Sequence, residues 1–384
     1  MRRNVTIIGA GIVGAALAME LSAIAGIEVT VIEQGAREQL PGSTGHAPGY
    51  VGILGDAPVL TALADLTTTI YDDLGFGNLP AFTRIGGLEI ATSASGVAVL
   101  EKRHRMSVEA GLPARLIEPT EAIMLAPDLV GSDGVRAGLH FPADGTARAS
   151  IATAAMRARA EASGATFVND ATVVGIETAD GRITGVRTAA STIGADDVVI
   201  ASGIWSPRLA ATVGFDLPLV PVEHPYVYGP PPEKRISRAT TPFIRWPEEH
   251  VYARYHGPRF GIGTYDHVPR LVAPEDLATG AELLWRGAIF DEAIDRARSL
   301  LPASNRFPSD LRLNGVFAIT PDNAPLIGRI PAADGLWTAS AIWVTHAAGS
   351  AKVLAALMTD RESPVAGISA LDPARFAGRD PDEL

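Results

Sequence analysis

Apolar and polar positions follow two different rhythms along this chain. The first is set by "NVTIIGAGIVGAALAMELSAIAGIEVTVIE" near the amino end. Asn4 to Ile8 is rich in β-branched residues and predicts a strand. Ile12 to Ala25 has helical composition, and Glu28 to Glu33 predicts a second strand. The same rhythm returns later. Ala147 to Ser163 predicts an alanine- and arginine-rich helix, and "ATFVND" a strand that extends a parallel sheet. A meander turned at Asp180-Gly181 follows. Asp197 to Ala201 predicts an apolar strand running into Ser202-Gly203 and Trp205. Trp337 to Ile342 predicts another strand, and Ala347 to Met358 the final helix. The second rhythm is short alternation among prolines, as in "HVYARYHGPRFGIGTYDH". It fills residues 80–145 and 218–314 and predicts antiparallel strands with one wet face. The expected plan is α/β. A Rossmann-like nucleotide domain would be assembled from 1–79, 146–217 and 315–384, with an inserted antiparallel β-sheet domain from 80–145 and 218–314. No internal repeat or low-complexity tract breaks this plan.

The length of 384 residues suits two closely packed domains, and 47% hydrophobic with 20% charged residues suits a globular chain. Net charge of −11 argues against a nucleic-acid partner, which would select a basic surface. The chain has no cysteine, which excludes disulfides, thiolate catalysis, cysteine zinc sites and iron–sulfur clusters. No metal site is expected. Residues 1–26 mimic a secretory leader, with Met-Arg-Arg, an apolar stretch and the small-residue run "LSAIAG". Glu20 and three glycines interrupt that pattern, so no membrane association is expected and the cytoplasm is the expected location.

Those glycines have a better reading. Gly9, Gly11 and Gly14 stand at the G-x-G-x-x-G spacing between the first strand and helix. There Gly9 permits a sharp turn, Gly11 lets a pyrophosphate approach the backbone, and Gly14 lets helix and strand pack closely. The helix start offers N–H groups and a partial positive charge. Glu33 ends the second strand, where an acid accepts hydrogen bonds from ribose hydroxyls. The spacing predicts a dinucleotide but leaves NAD and FAD open.

The glycine motif with Glu33, "VVIASGIWS" and "TPDNAPLIGR" followed by "GLWTAS" resemble the D-amino acid oxidase superfamily over nearly the whole chain. "GSTGHAPGYVG", "VPVEHPYVYG", "RFGIGTYDH" and "AIWVTHAAGSAK" look like its dimethylglycine and sarcosine oxidase/dehydrogenase branch, which is glycine oxidase-like. The resemblance implies FAD, with Ser43, Thr44, Val173, Ser202, Gly203 and Trp205 beside it and Thr345, His346 and Gly349 near its ring. It also implies a covalent bond from His46 to the flavin 8-methyl carbon, because that branch tethers flavin through this loop histidine. The residues alone leave open a His46 that hydrogen-bonds near the ring or orders the loop. Relatives in the branch often carry a folate-binding region. This chain stops just after the flavin-domain helix, so a simple oxidase reoxidised by O2 is expected.

The resemblance also places His224 and Tyr265 in the substrate pocket. His224 could take the proton an ammonium substrate must lose, and Tyr265 could hold the amine or the carboxylate. Tyr252 and Arg254 stand two apart on a predicted strand, so they share a face and pair a phenol with a guanidinium fork for a carboxylate. Amino-acid-oxidising relatives place an arginine just upstream of "P-x-I-G", where this chain has Phe317. The anchor expected instead is Arg254, then Arg245, then Lys352, and Phe317 could border space for an apolar substituent. A structural His224 and solvated arginines are the plain alternatives. The expected activity is hydride transfer from an N-substituted glycine to flavin N5. Hydrolysis would then give amine plus glyoxylate or an aldehyde, and a biosynthetic pathway is the expected setting. A dehydrogenase with a protein acceptor and a flavin-binding subunit of a hetero-oligomeric sarcosine oxidase stay open.

Overall fold

A computed structural model describes residues 2–231, 240–273, 276–277 and 280–379. The last residues of the expected third segment, 380–384, lie outside them.

The first rhythm builds a six-stranded sheet in the order Thr166–Val168, Ile27–Ile32, Arg3–Ile8, Asp197–Ile200, Leu336–Ser340 and Leu326–Arg329. Neighbours run parallel except the final pair. Alternate residues serve opposite faces. Val5, Ile7, Val29, Val31 and Val199 join one core with the helices Ile12–Ser22, Ala149–Ala162 and Ala347–Met358. Ile8, Ile32, Val198 and Ile200 join a second core. That second core also holds residues of the small antiparallel sheet Val173–Ala179, Arg182–Thr188 and Thr192–Gly194. Its turn at Asp180-Gly181 has φ of 50° and 76°, the double left-handed geometry that suits a two-residue hairpin.

Predicted and observed elements differ mainly at their ends. The first helix stops at Ser22, four residues before Gly26 with φ of 87°. The strand expected to reach Ile342 ends at Ser340, because Ala341 turns to φ of 54°. Gly14 has no room for a side chain: a Cβ there would stand 1.9 Å from the Gly9 carbonyl oxygen. This is the close helix–strand approach expected of the third motif glycine.

The second rhythm builds a nine-stranded sheet. Its order is Glu282–Leu283, Leu311–Ile319, Val220–Tyr228, Arg259–Thr264, Val251–His256, Phe243–Trp246, Gly87–Ala91, Ala137–Phe141 and Arg115–Ile117. All neighbours are antiparallel except Phe243–Trp246 with Gly87–Ala91, which run parallel. The strand Leu311–Ile319 belongs wholly to this sheet, so it crosses the expected boundary at 314/315. The expected wet face is also absent from the middle of the sheet. Val227, Ile244, Trp246, Val251, Ala253, Phe260 and Ile262 face an apolar core. The opposite face is buried too, with Tyr226, Phe243 and Tyr252 packed among Tyr50, Tyr228 and Leu313. The alternation therefore separates two kinds of interior, one wholly apolar and one of tyrosines and charged groups. Among the described residues, no helix is long and apolar enough to cross a membrane.

Candidate functional site

The carboxyl ends of the parallel strands gather the dinucleotide residues, as expected for an open α/β sheet. Gly9 turns at φ of 106°, and a Cβ there would stand 2.5 Å from the Ala201 carbonyl oxygen. The helix Ile12–Ser22 starts without an acid in its first turn. Thr44 Oγ1 accepts from Ile12 N at 3.1 Å, which brings the loop of residues 42–50 over that helix start. Glu33 Oε2 accepts from Ala10 N at 2.7 Å and Oε1 from Gly35 N at 2.9 Å. The acid thus shapes the glycine turn itself, and each oxygen retains a further lone pair. Ser202 Oγ lies 3.2 Å from Ser206 Oγ, and Gly203 adopts φ of 55°. Trp205 closes against Gly42, where a Cβ would stand 3.3 Å from its ring. Val173 packs on the core that contains Ile8, Ile32 and Ile204. This cradle has the glycines, the helix start and the acid that FAD requires.

The loop then crosses to the nine-stranded sheet. Ser43 Oγ donates to the Val316 carbonyl at 2.7 Å, and Ala281 N donates to the Pro41 carbonyl at 2.7 Å. His46 follows against Gly315, where a Cβ would meet the His46 Cβ at 3.5 Å. Burial pushes the His46 imidazole below its usual range, against opposing effects of Glu282 and of a hydrogen bond with the Pro41 backbone. Nε2 is buried and has no partner. A neutral ring with one nitrogen bonded and the other bare fits a group placed against it. At the far end Thr345 Oγ1 donates to the Tyr50 carbonyl at 3.1 Å, next to the start of the final helix. His346 stands at that helix start, and burial pushes its imidazole down to about 4. Gly349 differs from expectation. Its N–H is bound by Thr67 Oγ1 at 2.9 Å, and a Cβ would stand 2.5 Å from the Leu63 carbonyl oxygen, so it serves helix–helix packing.

The sheet face opposite the loop carries the substrate candidates. Register aligns Tyr226, Gly263, Tyr252, Arg245 and Glu89 across five strands. Two residues along, Tyr228, Gly261 and Arg254 form the next row. Gly263 makes this row possible, since a Cβ would stand 2.6 Å from Tyr252 Cζ and 2.7 Å from Tyr226 Cδ2. His224 pairs with Gly315, beside His46. Its Nε2 lies 2.5 Å from Tyr252 Oη, while Nδ1 is buried without a partner. Tyr265 stacks on the imidazole at 4.4 Å. Burial, aided by His267, pushes His224 down to about 3, so the ring is neutral at physiological pH.

The three expected anchors separate clearly. Arg254 is 7% exposed and donates to the Pro48 carbonyl at 2.6 Å and the Tyr255 carbonyl at 3.1 Å. Among the described residues no carboxylate pairs with it. Arg245 is already engaged, 3.2 Å from Glu89, a buried acid that also takes Arg103 at 2.6 Å. Lys352 is exposed and acts electrostatically on Glu20, away from the sheet face. Phe317 stands edge-on to His224 at 5.7 Å.

Several site-facing residues escaped the sequence reading. Tyr50 stacks on Phe243 at 3.9 Å, and Tyr226 Oη lies 2.8 Å from His256 Nε2. Tyr226 had a signal, because it alternates with His224 on one strand. Asp144, which accepts from Ile53 N at 2.9 Å, had none.

A model of the FAD dependent oxidoreductase family, DAO, matches residues 4–357. The mitochondrial dimethylglycine dehydrogenase of Mus musculus is 26% identical over 98% of this chain. The match spans only 44% of that relative's length. The L-proline dehydrogenase structure from P. horikoshii superposes with a TM-score of 0.85 at 23% identity, covering 98% of each chain. The glycine oxidase structure from Geobacillus kaustophilus gives a TM-score of 0.81 at 22% identity, covering 98% of this chain and all of that one. These two likenesses concern the fold. With a family match that spans both the glycine turn and the site-facing sheet, the chain belongs to the DAO family of FAD dependent oxidoreductases.

Proposed function

We propose that this protein is an amine oxidase acting on the C–N bond of an N-substituted glycine, a secondary or tertiary amine bearing a carboxylate. FAD, when bound, supplies the two-electron acceptor for the hydrogen lost from carbon. The chain must fix the carboxylate, keep the amine neutral and hold the C–H bond in place. One observation carries the reading. A single sheet face joins a buried guanidinium, which no carboxylate of the described residues pairs, to a neutral imidazole–phenol pair whose histidine stands beside His46.

A buried cation is stabilised by an anion, so Arg254 is assigned the substrate carboxylate. His224 Nδ1 is assigned the place beside the amine, which binds in its uncharged form because a ring held near 3 does not take an ammonium proton. Tyr252 holds Nε2 and so fixes which nitrogen faces the substrate. Tyr265 covers the ring and excludes water from it. The iminium left on the substrate is hydrolysed to amine plus glyoxylate, or to the demethylated acid plus formaldehyde. His46, with Nε2 bare and the ring neutral, is assigned the tether to the flavin 8-methyl carbon. O2 is assigned as the final acceptor.

The test is direct. Acid-precipitated protein should keep its yellow colour in the pellet, and His46→Ala should release it. A panel of N-substituted glycines should yield peroxide. Glyoxylate without formaldehyde would place oxidation on the glycine carbon. A second reading, transfer to a protein acceptor, is favoured by the name of the mouse relative, a dehydrogenase. Slow reoxidation of the reduced protein in air would select it.

A further inference from the structure

We propose that the substrate's N-substituent is a planar aromatic group, held by Tyr265, Phe317 and Trp343. The assignment rests on the amine-oxidising reading above and names what that amine carries.

Phe317 lies between the other two rings. It meets Tyr265 at 6.0 Å and 75°, and Trp343 at 6.2 Å and 74°, both edge-to-face. The outer rings are only half covered: Tyr265 is 47% and Trp343 45% exposed. Convergent aromatic surface left open beside a polar site marks a place where a ligand is held.

Two further observations fix what that ligand part is. Tyr265 also stacks on His224 at 4.4 Å, so a group seated on Tyr265 adjoins the nitrogen assigned to the amine. This is where a substituent on that amine must lie. The platform itself is three uncharged rings set perpendicular at the spacing at which aromatic pairs attract through their quadrupoles. A methyl group would cover little of it, and an anion would lose hydration against the negative ring faces without gaining a partner.

The experiment compares sarcosine, N-benzylglycine and N-(cyclohexylmethyl)glycine on the holoenzyme. The last two are of similar size, but only one is aromatic. N-benzylglycine should exceed sarcosine in kcat/KM by at least about tenfold. It should exceed the cyclohexylmethyl compound by roughly two- to tenfold, the value of one aromatic pair. Trp343→Leu should lower the benzyl-to-cyclohexylmethyl ratio by a similar factor, mainly through KM, with the flavin absorption of the ligand-free protein as in wild type. Tyr265→Leu should lower the same ratio. A preference for sarcosine would overturn the proposal, as would equal use of the two bulky compounds. So would a Trp343→Leu spectrum altered before any amine is added, since Trp343 would then lie on the flavin. If no amine of any kind bleaches the flavin, the amine-oxidising reading fails first and this assignment with it.

Discussion

Asp144 gives the sharpest quantitative test of the interior described above. It sits between the strands Ala137–Phe141 and Gly145–Ala147 and is 2% exposed. Ile53 N donates to it at 2.9 Å and Tyr50 Oη at 3.3 Å. Burial, helped by Glu89, pushes the carboxyl from its ordinary 3.8 up to about 7, while Ile53, Tyr50 and Arg245 pull it down. The folded state therefore binds a proton that the unfolded chain has already lost. Stability from this group is complete below pH 3.8 and declines as pH rises, until both states are ionised above about 7. A shift of about three units corresponds to about 4 kcal/mol over the whole range. Between pH 5 and pH 8 the share lost is about 2–3 kcal/mol. Asp144→Asn keeps an amide oxygen for Ile53 N and cannot ionise. Urea unfolding of the holoproteins at pH 5 and pH 8 should show the variant gaining about 2–3 kcal/mol on wild type between those conditions. Taking the difference between proteins cancels every other titrating group. If the two differ by the same amount at both pH values, to within about 0.5 kcal/mol, then Asp144 is ionised in the fold and the account of this interior is wrong.

Two other outcomes follow from geometry. Gly14→Ala would force a Cβ to 1.9 Å from the Gly9 carbonyl oxygen, so the turn must shift. It should lower stability by at least about 3 kcal/mol and abolish flavin retention, read by absorbance after gel filtration. Tyr252→Phe leaves His224 Nε2 without its partner, a loss of about 1–3 kcal/mol, and should lower kcat without changing the acid-stable yellow colour. Because burial holds His224 near 3, no break in kcat/KM between pH 5 and 9 should vanish in His224→Asn.

The parallel half of the fold was legible because its signals are local. Gly9, Gly11 and Gly14 meet steric demands of a single turn, and Asp180-Gly181 meets those of a single hairpin. The sheet facing the site was legible only as alternation, because its cover comes from residues far away in sequence. His224, Tyr252 and Arg254 became candidates through strand parity and resemblance, and the register places them on one face. Arg254 was already ranked before Arg245, but the physical reason lay out of reach: Glu89, which engages Arg245, is on a different strand 156 residues away. Gly349 misled because a glycine at a helix start has two uses, and only the nearness of Leu63 and Thr67 decides between them. Asp144 carried no pattern, since burial of a lone acid in a turn is decided by the chain that closes over it.

The loop from Pro41 to Tyr50 is bolted at both ends. It grips the sheet through Val316, Ala281 and Arg254, and the nucleotide unit through Ile12 and Thr345. A segment hydrogen-bonded to both halves resists their moving apart. On the proposed reading, amine and product pass by a part with fewer ties, and the rim around Tyr265 and Trp343, whose rings are exposed, is such a part.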